Sequence, residues 1–266
     1  MAIDPAVFFT SSWLANPWTW LALFVFTAYT IETVTGFGSI VIALSLGALL
    51  LPIHEMLPVL VPLNICMTGY LALRHRNNIH WPTLLKLILP MMGLGTLLGY
   101  GLRPWLGDAA LRVAFALLII WFAARELHFM MRAGAGAQQR QHSSWWTRCW
   151  MLLAGITHGL FASGGPLLVY SLSGVALDKA RFRATLICVW LSLNSLLTLI
   201  FAIDGTLLPA LPRIAVFLPV VISGVIIGEW LHHRISEQRF RLAVFLLLLV
   251  TGGALLIASS ASIMQS

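Results

Sequence analysis

Hydrophobic residues in this chain run in long unbroken stretches and do not alternate with polar residues. Residues 149–177 and 242–266, for example, contain no Asp, Glu, Lys or Arg. Runs of this kind predict membrane helices, whereas a membrane β-barrel would show alternation. We predict ten hydrophobic segments, near residues 18–34, 38–52, 56–73, 83–102, 110–130, 146–162, 166–177, 182–203, 208–231 and 239–259.

The first two segments in each half of the chain are short and are separated by clusters of small residues. The first cluster spans Thr33–Ser39 and the second spans Thr157–Pro166. The 14 residues from Gly38 to Leu51 rise about 1.5 Å each and cannot cross about 30 Å of hydrocarbon upright. We therefore expect a pair of half-helices meeting inside the protein in each half, either re-entrant or fully spanning.

Several residues recur in the same order in the two halves, which indicates an ancient duplication. Asn64 and Asn194 differ by 130 positions, and Gly36 and Gly164 differ by 128. An offset of 129 relates Pro90, Gly95, Gly99 and Arg112 to Pro219, Gly224, Gly228 and Arg241. Each half has five segments, an odd number, so the second half must enter the membrane inverted, as in many secondary transporters.

This pattern predicts an all-α polytopic membrane protein made of two inverted repeats. The first repeat covers residues 1–131, a cytoplasmic linker covers 132–145, and the second repeat covers 146–266. The glycine pairs at Gly95/Gly99 and Gly224/Gly228 are interpreted as close helix contacts.

Composition and charge agree with a membrane protein and suggest its orientation. Hydrophobic residues make up 59% of the 266 residues and charged residues 9%, against about 25% charged residues in soluble domains. By alternation of the segments, 13 of the 16 Lys and Arg residues fall on one side, which predicts that side to be cytoplasmic. Both termini are then periplasmic, in a bacterial inner membrane. The basic residues thus mark topology and do not indicate a nucleic-acid partner.

The two glycine-rich breaks are the candidate substrate site. A helix that begins at depth points free N–H groups and a positive dipole end into a cavity, where an anion can bind. Asn64 and Asn194, at matching places in the two halves, either contact the ligand or bond across helices. The predicted substrate-binding residues are Thr33, Thr35, Gly36, Phe37, Gly38, Ser39, Asn64, Ser163, Gly164, Gly165, Pro166 and Asn194.

Two ionisable residues lie inside predicted segments, next to the breaks. Glu32 precedes Gly36 by four residues, and His158 precedes Gly164 by six. Ionisable groups within a membrane segment are costly and often functional, so either residue is a candidate to carry a coupled proton. The alternative is that each merely lines a polar gap with its hydrogen bonds satisfied.

The breaks, the duplication, the size and the basic loop near the middle resemble the TauE/SafE sulfite exporter family, also called toluene-sulfonate uptake permeases. The resemblance extends from about Ala22 to Leu256. It implies a carrier for a small sulfur-containing anion such as sulfite or an organosulfonate. One departure is Phe37, which interrupts a loop that is typically richer in glycine in the family.

We therefore expect a secondary transporter, with export as the direction, that works by alternating access. An anion channel and a non-transporting partner subunit are the alternatives. No motif for ATP binding, metalloprotease or serine hydrolase chemistry is present, so we expect neither an enzyme nor a cofactor or metal. The expected partners are the anion, the lipid bilayer and a coupling proton, and a homodimer is left open.

Overall fold

The structure is a computed structural model that describes residues 15–35, 38–132, 144–172, 178–232 and 237–264. Within these ranges the chain is helical and contains no strand. Most of the predicted linker, residues 133–143, lies outside the described residues. So do Gly36 and Phe37 of the first break.

Ten helices follow one another in the described ranges, and each falls on one predicted hydrophobic segment. The prediction of ten helical segments is confirmed. They are α1 Pro17–Thr35, α2 Ser39–Gly47, α3 Ile53–Arg74, α4 Trp81–Trp105, α5 Asp108–Arg132, α6 Ser144–Phe161, α7 Gly165–Ser171, α8 Lys179–Ile203, α9 Leu207–His232 and α10 Glu237–Met264.

Helix α4 is one continuous segment of changing pitch. A short α-turn at Trp81–Thr83 passes into a π-helical turn at Leu84–Ile88, then into regular α-helix at Leu89–Leu102 and a final 3₁₀ turn at Arg103–Trp105. A short 3₁₀ turn, Arg76–Asn78, connects α3 to α4.

Six of the helices are long and apolar enough to cross a membrane: α3, α4, α5, α8, α9 and α10. The chain is thus an integral membrane protein, with three such helices in each half. The helices α2 and α7 have only nine and seven residues. At about 1.5 Å per residue they are far too short to span about 30 Å of hydrocarbon.

Both short helices begin where the backbone makes an unusual turn. Gly38 precedes α2 with φ of 103°, a left-handed conformation that a residue with a Cβ rarely adopts. Before α7 the turn falls on Ala162, with φ of 52°. Pro166 then occupies the first turn of α7, where a missing N–H leaves no helical hydrogen bond unmade. The two predicted breaks are therefore real interruptions of the helical backbone.

Close glycine contacts join helices from opposite halves. A Cβ added to Gly99 in α4 would collide with the backbone of Ile156 in α6, and a Cβ on Gly159 would collide with Thr96. Likewise, a Cβ on Gly228 in α9 would collide with α1 at Thr33. Small residues permit this close backbone approach between membrane helices, in accordance with the packing role predicted for Gly99 and Gly228; the contact of Gly159 was not predicted.

Helix α3 of the first half packs along α8 of the second half, and α5 packs on α10. The buried faces of α1, α2 and α3 form the main apolar core together with Phe115, Phe161 and Phe245. Helix α7 packs instead with α8 in a second apolar cluster that includes Leu168 and Val189.

Candidate functional site

A cavity lies at the centre of the protein between the two breaks, and we call it the central cavity. Its cavity volume is about 50 Å³, room for about three to five water molecules and so for a small ligand. Its polar lining comes from both halves of the chain. The lining residues are Glu32, Gly38, Ser39, Ile40, Val41, Ile42, Asn64, Phe122, Ala162, Ser163, Gly165, Pro166, Trp190, Asn194, Val244, Phe245 and Leu248.

A continuous set of hydrogen bonds joins the first break to the long helices. The Ser39 backbone N–H, at the start of α2, donates to Oε2 of Glu32 over 3.0 Å. The side-chain amide of Asn64 donates to Oγ of Ser39 over 3.0 Å and lies 3.5 Å from the same Glu32 oxygen. Because all three side chains are buried, the Glu32 carboxylate acts as an internal cap for the free N–H of α2.

The same set of bonds continues into the second half of the chain. The side-chain amide of Asn194 donates to Oδ1 of Asn64 over 2.7 Å. His158 is fully buried and neighbours Asn194, although neither ring nitrogen makes a hydrogen bond of ordinary geometry within the described residues. Glu32, Asn64, Asn194 and His158 therefore form a polar row that crosses between the two halves.

The second break presents a hydroxyl and an aromatic face to the cavity. The Ser163 hydroxyl is buried and has no hydrogen-bond partner among the described residues. A Cβ added to Gly165 would lie 3.5 Å from the ring of Trp190, so the absence of a side chain there keeps space open in front of the indole. Trp190 in turn stacks on His158, with ring centroids 5.8 Å apart and 22° between the planes.

The structure brings most of the predicted site residues to one place. Eight of them line the central cavity: Glu32, Gly38, Ser39, Asn64, Ser163, Gly165, Pro166 and Asn194. The predicted roles, proton coupling for Glu32 and substrate binding for the other seven, remain predictions.

The other predicted residues are elsewhere or are not described. Thr33 faces away from the central cavity and donates its hydroxyl hydrogen bond to the Tyr29 carbonyl over 2.8 Å. Gly164 packs on Ala154, and His158 lies behind Trp190. Gly36, Phe37 and the side chain of Thr35 lie outside the described part of the chain.

The apolar wall of the cavity was not predicted from the sequence. Trp190 lies one helical turn before Asn194 in α8, a spacing that could have revealed it because both side chains share a helix face. Phe122 and Phe245 close the opposite side with their rings edge to face, 5.5 Å between centroids. They come from α5 and α10, and nothing in their local sequence separates them from other apolar residues.

Two further pockets lie at opposite ends of α3. One, which we call the Arg74 pocket, is formed at the last turn of α3 by Arg74, His75, Arg183 and Glu229. The other, the Arg103 pocket, is formed at the first turn of α3 by Ile53, His54, Leu57, Arg103 and Asp108. Since Asn64 lies midway along α3, the central cavity is between these two pockets.

The comparisons with known proteins agree with this architecture. The profile of the sulfite exporter TauE/SafE family matches residues 21–255. The chain belongs to this family. It is also 28% identical, over 167 residues, to a probable inner membrane transporter protein, TsaS, of Comamonas testosteroni, with 62% of this chain and 68% of the relative covered. No solved structure matches the chain.

As a TauE/SafE member in whose described part six helices are able to cross a membrane, the chain is a membrane transporter. The family resemblance seen in the sequence is confirmed. Both the family description and the relative's name describe transport and not catalysis.

Proposed function

We propose that the protein is a secondary transporter that exports a small sulfur-containing anion, such as sulfite or an organosulfonate, across the bacterial inner membrane. The observation that carries this proposal is the position of the central cavity. Both breaks line it, and it lies halfway between two pockets with basic residues, one at each end of α3. The sulfur chemistry of the substrate rests on the family description.

The chemistry of the lining supports an anion of low charge held by neutral donors. The Ser163 hydroxyl has no partner among the described residues and is a neutral donor in the lining, where the Asn64 and Asn194 amides already donate within the protein. Trp190, Phe122 and Phe245 supply an apolar surface for the remainder of the ligand. Neutral donors bind an anion without the tight ion pair that would slow its release.

The Glu32 contact supports coupling to a proton. An ionised Glu32 accepts from the N–H of Ser39, the donor that an anion at the start of α2 would use. The carboxylate and the anion then compete for one donor and repel each other. A protonated Glu32 removes the repulsion, so anion and proton enter the site together, and export would be driven by the outward gradient of the substrate itself.

The packing of the helices supports alternating access by two inverted repeats. Helix α1 packs on α9 and α6 packs on α4, as expected if the two halves exchange places about a two-fold axis, while α3 and α8 pack on each other. Both breaks reach one cavity, which favours re-entrant pairs over spanning pairs. The halves would then rock around a fixed site.

Counterflow in proteoliposomes tests this function. Vesicles loaded with unlabelled sulfite should transiently accumulate labelled sulfite, because a carrier exchanges its substrate and a channel does not. Thiosulfate, sulfoacetate and an aromatic sulfonate should compete better than sulfate or a carboxylate of matched size. Linear, non-saturating flux would instead favour a channel. Activity that returns only on adding a second protein would favour a partner subunit.

A further inference from the structure

The Arg103 pocket contains a basic group whose hydrogen bonds are unmade. The Nε and Nη2 atoms of Arg103 are both buried and have no hydrogen-bond partner among the residues that the structure describes. Buried polar groups are nearly always paired, and an unpaired charged group is especially costly. An unpaired guanidinium in a pocket therefore calls for an explanation.

The one carboxylate in this pocket does not neutralise Arg103. Asp108 is instead 2.7 Å from Nε of Arg112, one helical turn further along α5, and 3.5 Å from Nδ1 of His54. Two aromatic rings hold Arg103 in place. Its guanidinium carbon lies 4.8 Å from the centre of the Tyr100 ring and 5.6 Å from the centre of the Phe201 ring. These contacts orient the planar group and leave its N–H edge free.

The two free atoms form a geometrically defined donor pair. Nε–H and Nη2–H lie on the same edge of a guanidinium and point in nearly the same direction. This edge matches two oxygens of one oxyanion, the bidentate arrangement that distinguishes Arg from Lys. The pocket also contains His54, a second donor, and apolar residues such as Leu57 and Leu160.

From this geometry we infer that the Arg103 pocket is a second anion site, where the Nε–H and Nη2–H edge of Arg103 binds two oxygens of the small oxyanion before or after it occupies the central cavity. The inference rests on the proposed function for the identity of the anion. The charge distribution predicts that this end of the molecule faces the periplasm. Arg103 would then set the affinity of the transporter on that face alone.

Initial rates measured separately from the two membrane faces test this site. With labelled sulfite, Arg103→Gln should raise the half-saturating concentration about tenfold on the face that carries Arg103 and leave the other face unchanged. Arg103→Lys should recover only part of the loss, since it keeps the charge without the paired edge. Arg213→Gln is the matched control, because Arg213 also lies over an aromatic ring, that of Trp18, at 3.9 Å, but is outside the pocket.

The outcomes separate this site from the proposed function. Unchanged half-saturation in Arg103→Gln, or an equal change from both faces, would overturn the site and leave Arg103 a structural residue. If the wild type carries no sulfur anion, the proposed function fails. The second site is then decided by titrating the purified protein with sulfite, thiosulfate and phosphate: binding that weakens in Arg103→Gln supports it, and binding identical to wild type overturns it.

Discussion

The side-chain amide of Asn194 donates a 2.7 Å hydrogen bond to the side-chain oxygen Oδ1 of Asn64, although 130 residues separate them in the sequence. Both side chains are buried, and each lies near the middle of a long helix of its own half. The bond therefore ties α3 to α8 at the depth of the central cavity, where the two breaks also meet.

Removing either amide should destabilise the protein, and the two losses should not add. Asn64→Ala and Asn194→Ala should each lower the free energy of unfolding by about 1–3 kcal/mol, since each leaves a buried polar group without its partner. A double-mutant cycle by denaturant unfolding in micelles should give a coupling of about 0.5–3 kcal/mol. Asn78→Ala, at an exposed position, is the control. Additive losses would show that the amides act independently.

Replacing Glu32 by Gln should abolish the pH dependence of transport. The amide of Gln can still accept from the Ser39 N–H but cannot ionise, so the anion would enter without a proton. With an aromatic sulfonate, whose charge is constant near neutral pH, wild-type uptake should rise as the pH falls, whereas Glu32→Gln should retain counterflow at a rate independent of pH. Glu55→Gln, at an exposed site, should behave as wild type. A pH response that survives in Glu32→Gln would remove Glu32 from the coupling.

Two glycines of α4, two residues apart, should respond differently to Ala. A Cβ on Gly99 would collide with the Ile156 carbonyl of α6, whereas a Cβ on Gly101 meets nothing within 4 Å. We expect Gly99→Ala to cost about 1–3 kcal/mol through overpacking. Gly101→Ala should be neutral or slightly stabilising, because Ala is the better helix former. The midpoint of thermal unfolding measures both, and equal shifts would refute the close contact of α4 with α6.

One polar contact near each end of the transport path should help to keep that end of the protein closed. Arg74 lies 3.7 Å from Glu229 near one end, and the Tyr100 hydroxyl donates to Asp204 near the other. Both contacts are largely exposed, and the ion pair contributes about 0.2–1 kcal/mol. Val225 lines the Arg74 pocket and Leu57 lines the Arg103 pocket. Arg74→Gln should increase thiol labelling of Val225→Cys several-fold, and Tyr100→Phe should do so for Leu57→Cys.

This labelling requires a background in which Cys66, Cys149 and Cys188 are replaced. Each variant should increase thiol labelling of the introduced cysteine at its own end and decrease labelling of the one at the opposite end. Parallel increases at both reporters would point to general loosening of the protein and contradict alternating access.

The helices could be predicted from the sequence because each is a run of apolar residues, and the breaks because glycine and proline interrupt two of these runs. The equivalent positions of Glu32 and His158, each before a short helix, were harder to recognise in the sequence. Counted from the breaks they lie four and six residues before Gly36 and Gly164, but each lies seven residues before the first residue of its short helix, Ser39 and Gly165. Only the helix bounds reveal that they hold matching places in the two halves.

The aromatic wall and the unpaired arginine could not be predicted, because both depend on tertiary packing. Phe245 becomes a lining residue only because α10 packs against α5. In the sequence, Arg103 is a single basic residue at the end of a hydrophobic segment, and membrane topology alone explains a basic residue there. In the structure it lies across the rings of Tyr100 and Phe201, and Phe201 is almost a hundred residues away.

Sulfite flux through Gly165→Leu, compared with Gly101→Leu, in proteoliposomes decides whether the anion passes between the two breaks. A Leu side chain at Gly165 would project toward Trp190 into the central cavity, whereas at Gly101 it meets open space. We expect saturable flux for the wild type and for Gly101→Leu, and loss of flux in Gly165→Leu, with the variant still folded as judged by its thermal unfolding midpoint. Wild-type flux through a folded Gly165→Leu protein would show that the anion does not pass between the two breaks.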